Sequence, residues 1–371
     1  MSTMTMSRRR LLLSLAGTAA LCGRFGSARA EVDLLKTPAR MSALAPHVML
    51  LGIAIAGERL VAVGERGVIV WSEDAGTTWR QAQVPVSVTL TAVAFADARK
   101  GWAVGHDGAV LHSADGGQQW TLQFDGNGAN AAVLATRKAA VQAARSTEER
   151  QRAESALADV EESAEFGPSR PLLDVCMADA MRGWVVGAFG QVFGTTDGGH
   201  TWVYAGDALP NPDGLHCNRI SRLPDRSLVI AAEAGKVFRT RDEGRSWQVH
   251  DTGYAGHLYG VLPGGTAGVL IAYGFAGHIL RSEDDGLSWR ELPALTSTSL
   301  IGGMRLASGR LLLVDRGRRI LASDDAGKTW RLLSSEPGRA LGGIAPSLVK
   351  DRLPVVGTGG MAWLSLKGRE S

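Results

Sequence analysis

Six segments of the chain share one pattern: Ser or Thr, any residue, Asp, any residue, Gly, any two residues, Trp. The segment "GHDGAVLHSADGGQQW" contains one copy. The six copies end in Trp79, Trp120, Trp202, Trp247, Trp289 and Trp330. The intervals between these tryptophans are 41, 82, 45, 42 and 41 residues. A period of 41–45 residues that contains four short β segments is typical of the blades of a β-propeller.

The number of blades follows from the copies. A seventh copy, "GTGGMAWLS", begins at Gly357 and has only the first half of the pattern. Each blade buries its faces only against its neighbours, so the copies must close into a ring. We therefore predict an all-β, seven-bladed propeller, with blades one and two in residues 31–126 and blades three to seven in residues 171–366.

The last blade lacks a fourth strand in the sequence. The segment "EVDLL", from Glu31 to Leu35, could supply it, which would pair the two ends of the chain and remove an open sheet edge. The alternative is that this segment is a frayed N-terminal tail.

The recurrent Asp, known with its neighbours as the Asp box, lies between the third and fourth strands of each blade. An Asp in a turn accepts hydrogen bonds from the following backbone amides, Gly takes positive φ, and the Trp packs between blades. We expect the six carboxylates to be structural, because a catalytic carboxylate does not recur in equivalent copies around a ring. They belong to Asp74, Asp115, Asp197, Asp242, Asp284 and Asp325.

The turn between the second and third strands varies from blade to blade. Because successive strands alternate in direction, these turns lie on the face opposite to the Asp boxes. Variable loops on a regular scaffold commonly carry specificity. The candidate partner-binding residues on this face are Glu65, Arg66, His106, Asp107, Phe189, Glu233, Phe275 and Arg316.

The interval of 82 residues contains an insertion over residues 127–170 that is rich in Ala, Glu, Arg and Gln, which favour helices. The segment Ser146–Glu149 divides it into two helices, and Gly167–Pro168 ends it. We expect a helical hairpin on the variable face, beside the central channel, available to bind another protein. The alternative is a solvated spacer without a partner.

Residues 1–30 have a basic start, a short apolar stretch and a small-residue end at Ala30, which is typical of a signal peptide. The segment "SRRRLL" favours the twin-arginine pathway, and an ordinary secretory signal is the alternative. Cleavage after Ala30 removes five arginines and no acid, so the net charge falls from +3 to −2. We expect a soluble, monomeric periplasmic protein that does not bind nucleic acid.

Cys176 and Cys217 remain after cleavage, and either a disulfide between them or two buried thiols is compatible with an oxidising compartment. The histidines are scattered over different blades without the spacing of metal ligands. No glycine-rich loop opens a helix, as a nucleotide site requires. We therefore expect neither a metal nor a cofactor.

"GWAVGHDGAVLHSADGGQQW" and "GWVVGAFGQVFGTTDGGHTW" resemble the photosystem II stability/assembly-factor family of BNR (Asp-box) repeat propellers. This resemblance covers residues 32–366 except the insertion. It implies an exported, non-catalytic propeller that assists the assembly of a membrane protein complex. For a photosynthetic host the resemblance implies a subunit of photosystem II as the partner, and for a non-photosynthetic host it implies a role as an accessory to an envelope transporter.

The alternative function is that of a sialidase-like glycosidase, because such enzymes also carry Asp boxes. That chemistry needs a Tyr nucleophile, a supporting Glu and a cluster of arginines. Tyr259 with Arg66 and Arg316 is the nearest candidate set.

Overall fold

A computed structural model describes residues 32–165 and 167–367. It contains seven antiparallel sheets, six of four strands and one of three, each formed by strands that follow one another in the chain. This confirms the seven-bladed propeller. The predicted signal peptide and Glu31 lie outside the described residues.

The strands of blades one to four are β1 Leu50–Ala56, β2 Arg59–Gly64, β3 Ile69–Ser72, β4 Arg80–Gln81, β5 Leu90–Phe95, β6 Gly101–Gly105, β7 Val110–Ser113, β8 Thr121–Phe124, β9 Leu172–Met177, β10 Gly183–Gly187, β11 Val192–Thr195, β12 Val203–Tyr204, β13 Cys217–Arg222, β14 Leu228–Ala232, β15 Lys236–Thr240 and β16 Gln248–Asp251. Those of blades five to seven are β17 Leu258–Pro263, β18 Leu270–Gly274, β19 Ile279–Ser282, β20 Arg290–Glu291, β21 Leu300–Arg305, β22 Leu311–Asp315, β23 Arg319–Ser323, β24 Arg331–Ser335, β25 Leu341–Ile344, β26 Arg352–Gly357 and β27 Gly360–Ser365.

The hydrophobic core is divided into seven clusters, one between each pair of neighbouring blades. Between blades three and four, for example, Trp184 packs with Ile230 and Trp247. The ring closes in the same way, because Val356 of blade seven shares a cluster with Leu50 of blade one. Each blade therefore depends on its neighbours for burial, as the repeat pattern requires.

Each Asp box forms a closed network of hydrogen bonds within its own turn. In blade one, the Asp74 carboxylate accepts bonds from the Ser72 hydroxyl (2.8 Å), the Thr78 backbone N–H (2.8 Å) and the Thr78 hydroxyl (2.6 Å). The Thr78 bonds, followed by the Ser72 bond, lower the pKa of Asp74 to about 2. The same hydrogen bonds recur around Asp197, Asp242, Asp284 and Asp325.

The N-terminal segment does not add a strand to blade seven. Within residues 32–49 there is no strand, and the sheet of blade seven ends at β27. Leu35 is buried against the clusters of blades one and two, and the backbone N–H of Ser87 donates to the Leu34 carbonyl at 2.9 Å. The prediction of a closing strand in blade seven is therefore wrong. Leu35 packs instead against apolar side chains of the loop between blades one and two.

The insertion is a helical hairpin, as predicted, of α1 Gly126–Ala143 and α2 Thr147–Glu165. Asp125 caps α1 by accepting bonds from the N–H groups of Asn127 and Gly128. At the start of α2, the Ser146 hydroxyl accepts from the Glu149 N–H, and the Glu149 carboxylate accepts from the Ser146 N–H. These reciprocal bonds form a capping box, which explains why the hairpin turns at this point.

The hairpin lies at the rim of the propeller rather than beside the channel. Helix α1 contacts the turn at His106–Gly108 and the outer strand β12. Ala129 and Gly126 are its buried residues, and α2 has none. The prediction that the hairpin lies beside the channel is therefore wrong. The buried side of α1 packs against the outer strand of blade three.

Within the described residues, no helix has the length and apolar character that crossing a bilayer demands.

Candidate partner-binding face

The turns between the second and third strands are fixed in the same way in all seven blades. The backbone N–H of the first turn residue donates to a carbonyl just before the inner strand of the same blade, at 2.8–3.2 Å. The donors are Glu65, His106, Ala188, Glu233, Phe275, Arg316 and Thr358. The backbone of this face is therefore regular, and its differences lie in the side chains.

Four of these turns are short 3-10 turns, in blades one, two, three and five. The second residue of each is left-handed, with φ of 53–56°. These residues are Arg66, Asp107, Phe189 and Ala276. In blade four Ala234 is also left-handed, with φ of 51°. Both Phe and Ala are therefore accommodated in this conformation on the variable face.

A ridge of aromatic and imidazole side chains crosses blades three to five. The rings of Phe189 and His216 are in edge contact, with centroids 4.8 Å apart. The carboxylate of Glu233 lies 3.5 Å from His216 Nδ1 and 3.3 Å from His257 Nδ1, and it accepts from the His216 backbone N–H at 2.8 Å. His257 approaches Phe275 at 6.3 Å between centroids. We call these five residues the aromatic ridge.

The two ends of the aromatic ridge are open to solvent. Phe189 is 57% exposed and Phe275 is 50% exposed. Large aromatic side chains at a surface are enriched in protein interfaces. The sequence singled out Phe189, Glu233 and Phe275 separately, and the fold brings them together. It missed His216 and His257, which precede the inner strands β13 and β17, because nothing local signals that neighbouring blades bring them to one carboxylate.

On blades one and two, the N-terminal segment lies against the variable face. Arg66, His106 and Asp107 line a cleft together with residues of the segment 34–40. Burial raises the pKa of Asp107, and the charge of His106 opposes this. On this half of the face, the N-terminal segment therefore contributes residues to the surface beside the turns.

The seven inner strands surround a cavity of about 470 Å³. Its polar side includes Asp174 and Arg219, which lie 3.9 Å apart, and the Arg219 guanidinium donates to the Tyr273 hydroxyl at 3.2 Å. Burial raises the pKa of Asp174, and Arg219 opposes this. Sequence reasoning missed this cluster, although a charged Asp within the apolar strand "LLDVCM" was a signal for it.

The residues of the glycosidase alternative are only partly brought together. Tyr259 and Arg316 both line the channel cavity, whereas Arg66 lines the cleft at blades one and two. Burial raises the pKa of Tyr259, an effect that Arg316 opposes. A phenol whose pKa is raised is a poorer nucleophile precursor, so this arrangement does not favour glycoside hydrolysis.

The cysteines are free thiols. Cys176 and Cys217 both pack in the cluster between blades three and four, and burial raises the pKa of each to about 12. Of the two alternatives left open by the sequence, the structure contains the unbridged one. No group of three or more potential metal ligands occurs in the part of the chain that the structure describes.

The sequence model of the family described as photosynthesis system II assembly factor YCF48 matches residues 71–131 and 158–332. The chain belongs to this family. The match confirms the resemblance carried by the Asp-box repeats. It omits residues 132–157, which form most of the helical hairpin.

Three curated relatives support this membership. The chain is 26% identical over 151 residues to the photosystem II assembly lipoprotein Ycf48 of Synechococcus sp. (strain CC9902), covering 40% of this chain and 44% of the relative. It is 25% identical over 275 residues to the photosystem II assembly protein Ycf48 of Thermosynechococcus vestitus (strain NIES-2133 / IAM M-273 / BP-1), covering 68% and 74%. It is 29% identical over 124 residues to the chloroplastic photosystem II stability/assembly factor HCF136 of Arabidopsis thaliana, covering 31% and 30%.

The chain thus spans less than half the length of two of these relatives and about three quarters of the third. All three are named as assembly factors and none as an enzyme, which supports a non-catalytic role.

Two solved structures share the fold. YCF48 bound to D1 peptide aligns with a TM-score of 0.59 at 16% identity, covering 86% of this chain and 94% of that chain. YCF48 from Cyanidioschyzon merolae aligns with a TM-score of 0.59 at 15% identity, covering 88% and 97%. At these identities the likeness concerns the fold.

Proposed function

We propose that this protein is a non-catalytic assembly factor that holds an extended segment of a membrane-protein client on its variable face. Family membership supports this, as do the names of the relatives. A solved relative of the same fold carries a peptide of D1. The client of this chain is then a membrane subunit that is held before it enters its complex.

The aromatic ridge is the observation that carries this proposal. Phe189 and Phe275 expose large rings on either side of the Glu233 carboxylate, which lies within 3.5 Å of two imidazoles and accepts a bond from the His216 backbone N–H. Exposed rings bury much apolar area at little cost in side-chain entropy, and fixed polar groups between them give orientation. Glu65, Arg66, His106, Asp107 and Arg316 complete the proposed face around it.

The cellular setting is part of the same proposal. The leader predicted over residues 1–30 sends the chain across the membrane, so the mature protein meets its client as a monomer in the periplasm. The six Asp-box carboxylates have a structural role in it and take no part in binding.

Titration with the D1 peptide of the solved relative tests the photosystem client. Fluorescence anisotropy is expected to show binding to the unmodified protein. It should weaken at least fivefold in Phe275→Ala, because the exposed ring is lost. Leu287, 74% exposed in the Asp-box turn of blade five, provides the matched control, and Leu287→Ala should bind as the unmodified protein does.

Recovery from envelope membranes tests the wider proposal of a membrane client. Affinity-tagged protein is expected to recover one integral membrane protein reproducibly, and recovery should fall in Phe275→Ala but not in Leu287→Ala. Equal recovery by both variants would refute the variable face as the site of binding.

A further inference from the structure

A cleft of about 460 Å³ lies between the helical hairpin and blade three. Val133 and Val160 of the two helices form one side, and Tyr204 and Phe189 of blade three belong to the other. Its volume falls within the range of ligand-binding clefts. The hairpin and blade three together therefore form a concave surface.

The walls of the cleft are held by specific contacts. Arg137 of α1 forms an ion pair with Asp207, with 2.7 Å between Nη1 and Oδ1, and its guanidinium lies 5.9 Å from the centre of the Tyr204 ring. The loop after β12 is fixed by Asn211, whose side chain accepts from the Leu215 N–H and donates to the Leu215 carbonyl, both at 2.9 Å. Walls that are held by contacts within the chain lose less conformational entropy when a ligand binds.

The charges in the cleft are unbalanced. Its lining contains two arginines, Arg137 and Arg170, and one acid, Asp207. Arg137 is paired with that acid, whereas Arg170 has no ion-pair partner within residues 32–165 and 167–367. The guanidinium of Arg170 lies over the Phe189 ring, 5.4 Å from its centre. A guanidinium held in this way presents a planar set of donors that suits a carboxylate.

We propose that this cleft binds an acidic, extended peptide segment, with a carboxylate on Arg170 and apolar side chains against Phe189 and Tyr204. The inference rests on the proposed function for the source of the segment, which is the client. The cleft proposal goes beyond the proposed function because it assigns the helical hairpin a direct part in binding. Most of the hairpin lies outside the family match. The opposite charges of the cleft and the segment determine which clients are accepted.

Two fluorescein-labelled octapeptides test the charge requirement with purified full-length mature protein. One alternates leucine with aspartate, and the other alternates leucine with asparagine. The aspartate peptide is expected to bind at least tenfold more tightly, with an affinity that falls as salt is raised. N-acetyl-aspartate at millimolar concentration should not displace it, because a free carboxylate lacks the apolar contacts of a segment.

Matched variants locate the binding. Arg170→Gln should weaken the aspartate peptide at least tenfold, whereas Arg152→Gln should not, because Arg152 is 77% exposed on the hairpin and outside the cleft. Phe189→Ala should weaken both peptides, and it should fold, since Ala234 and Ala276 adopt the same backbone conformation in blades four and five. Unfolding midpoints measured for each variant separate lost binding from lost structure.

Several results would overturn the cleft proposal. They are no binding of either octapeptide, equal binding of both, displacement by N-acetyl-aspartate, or equal losses in Arg170→Gln and Arg152→Gln. If these occur while a membrane client is still recovered, the proposed function stands without the cleft. If the octapeptide results hold but no membrane client is recovered, the proposed function fails and the peptide site remains.

Discussion

At the scale of single residues, a glycine precedes each of the four 3-10 turns on the variable face, and blade seven has a glycine at the same place, Gly357, before a turn that is not 3-10. In blades one, two, three and five the residue before the turn is Gly, and the turn is a 3-10 turn. A Cβ on Gly187 would lie 2.4 Å from the Pro171 carbonyl oxygen, which accepts the turn's N–H bond. In blades four and six, Ala232 and Asp315 stand at this place and the 3-10 turn is absent.

Replacing this glycine should therefore destabilise the protein. We expect Gly187→Ala to lower the free energy of unfolding by about 1–3 kcal/mol, because the new methyl group has to displace backbone. Gly194 of the same blade is the matched control, since its nearest neighbour would lie 3.5 Å from a new Cβ. Gly194→Ala should be neutral or stabilising by up to about 1 kcal/mol. Urea unfolding of both variants measures the difference, and equal effects would contradict the steric argument.

The hydrogen bonds of the Asp boxes could be predicted from the sequence only in part. The sequence predicted bonds from following backbone amides, and the structure contains them. The pattern also contains hydroxyl groups two residues before and four residues after most of the acids, and both kinds donate to the carboxylate. The recurrence of Ser or Thr at these positions was available in the sequence, although its role emerged only from the geometry.

At the scale of elements, the hairpin was predictable because its signals are local. Helix-forming residues, an interruption at Ser146–Glu149 and a stop at Gly167 all act within a few residues. Its position was not predictable, because it depends on which surface buries Ala129. Trp202 and Phe193 of blade three belong to the cluster that does so.

The hairpin should be dispensable for folding. The side chain of Asn130 donates to the Gly167 carbonyl at 3.3 Å, so a short Gly-Ser linker can replace residues 131–166. We expect the unfolding midpoint to fall by only about 2–4 °C, since within residues 131–165 only Ala132 and Val133 pack against the core cluster. Circular dichroism during heating provides the measurement.

A core substitution gives the contrast for this deletion. Trp102 is fully buried, and Trp102→Ala should cost about 3–5 kcal/mol. If the deletion destabilises the protein as much as this substitution does, the hairpin is part of the fold rather than an addition to it.

The placement of the N-terminal segment, unlike the existence of the hairpin, could not be predicted from local signals. "EVDLL" has a composition that suits a strand, but the choice between blade seven and the loop at Ser87 depends on contacts distant in sequence. Blade seven thus retains three strands. On its last strand, two backbone groups form hydrogen bonds with side chains instead of with a fourth strand. The Ser365 N–H donates to Glu336, and the Ser365 carbonyl accepts from Ser334.

At the scale of the whole molecule, the Asp boxes make stability depend on pH. The pKa is lowered to about 2 at five of them, Asp74, Asp197, Asp242, Asp284 and Asp325. An unperturbed Asp has a pKa of about 3.9. Because the folded state favours the ionised form, these groups stabilise the protein above about pH 4, and this contribution is lost as pH falls from about 4 to about 2.

Asp242→Asn isolates one such contribution. The variant should be less stable than the unmodified protein at pH 7, and the difference should shrink as pH falls from about 4 towards 2, where the carboxylate becomes protonated. Urea unfolding at a series of pH values measures it. A difference that stays constant down to pH 2 would show that the ionised carboxylate contributes nothing specific.

The sequence by itself determined the number of blades, the order of their strands, the place of the Asp boxes and the existence of the hairpin. Each of these depends on a local pattern that recurs or stops at defined residues. Only the tertiary structure decided that His216 and His257 share one carboxylate, that Leu35 packs between blades one and two, and that the hairpin encloses a cleft with Arg170. These features join residues from different blades, and their distances are set by the closure of the ring.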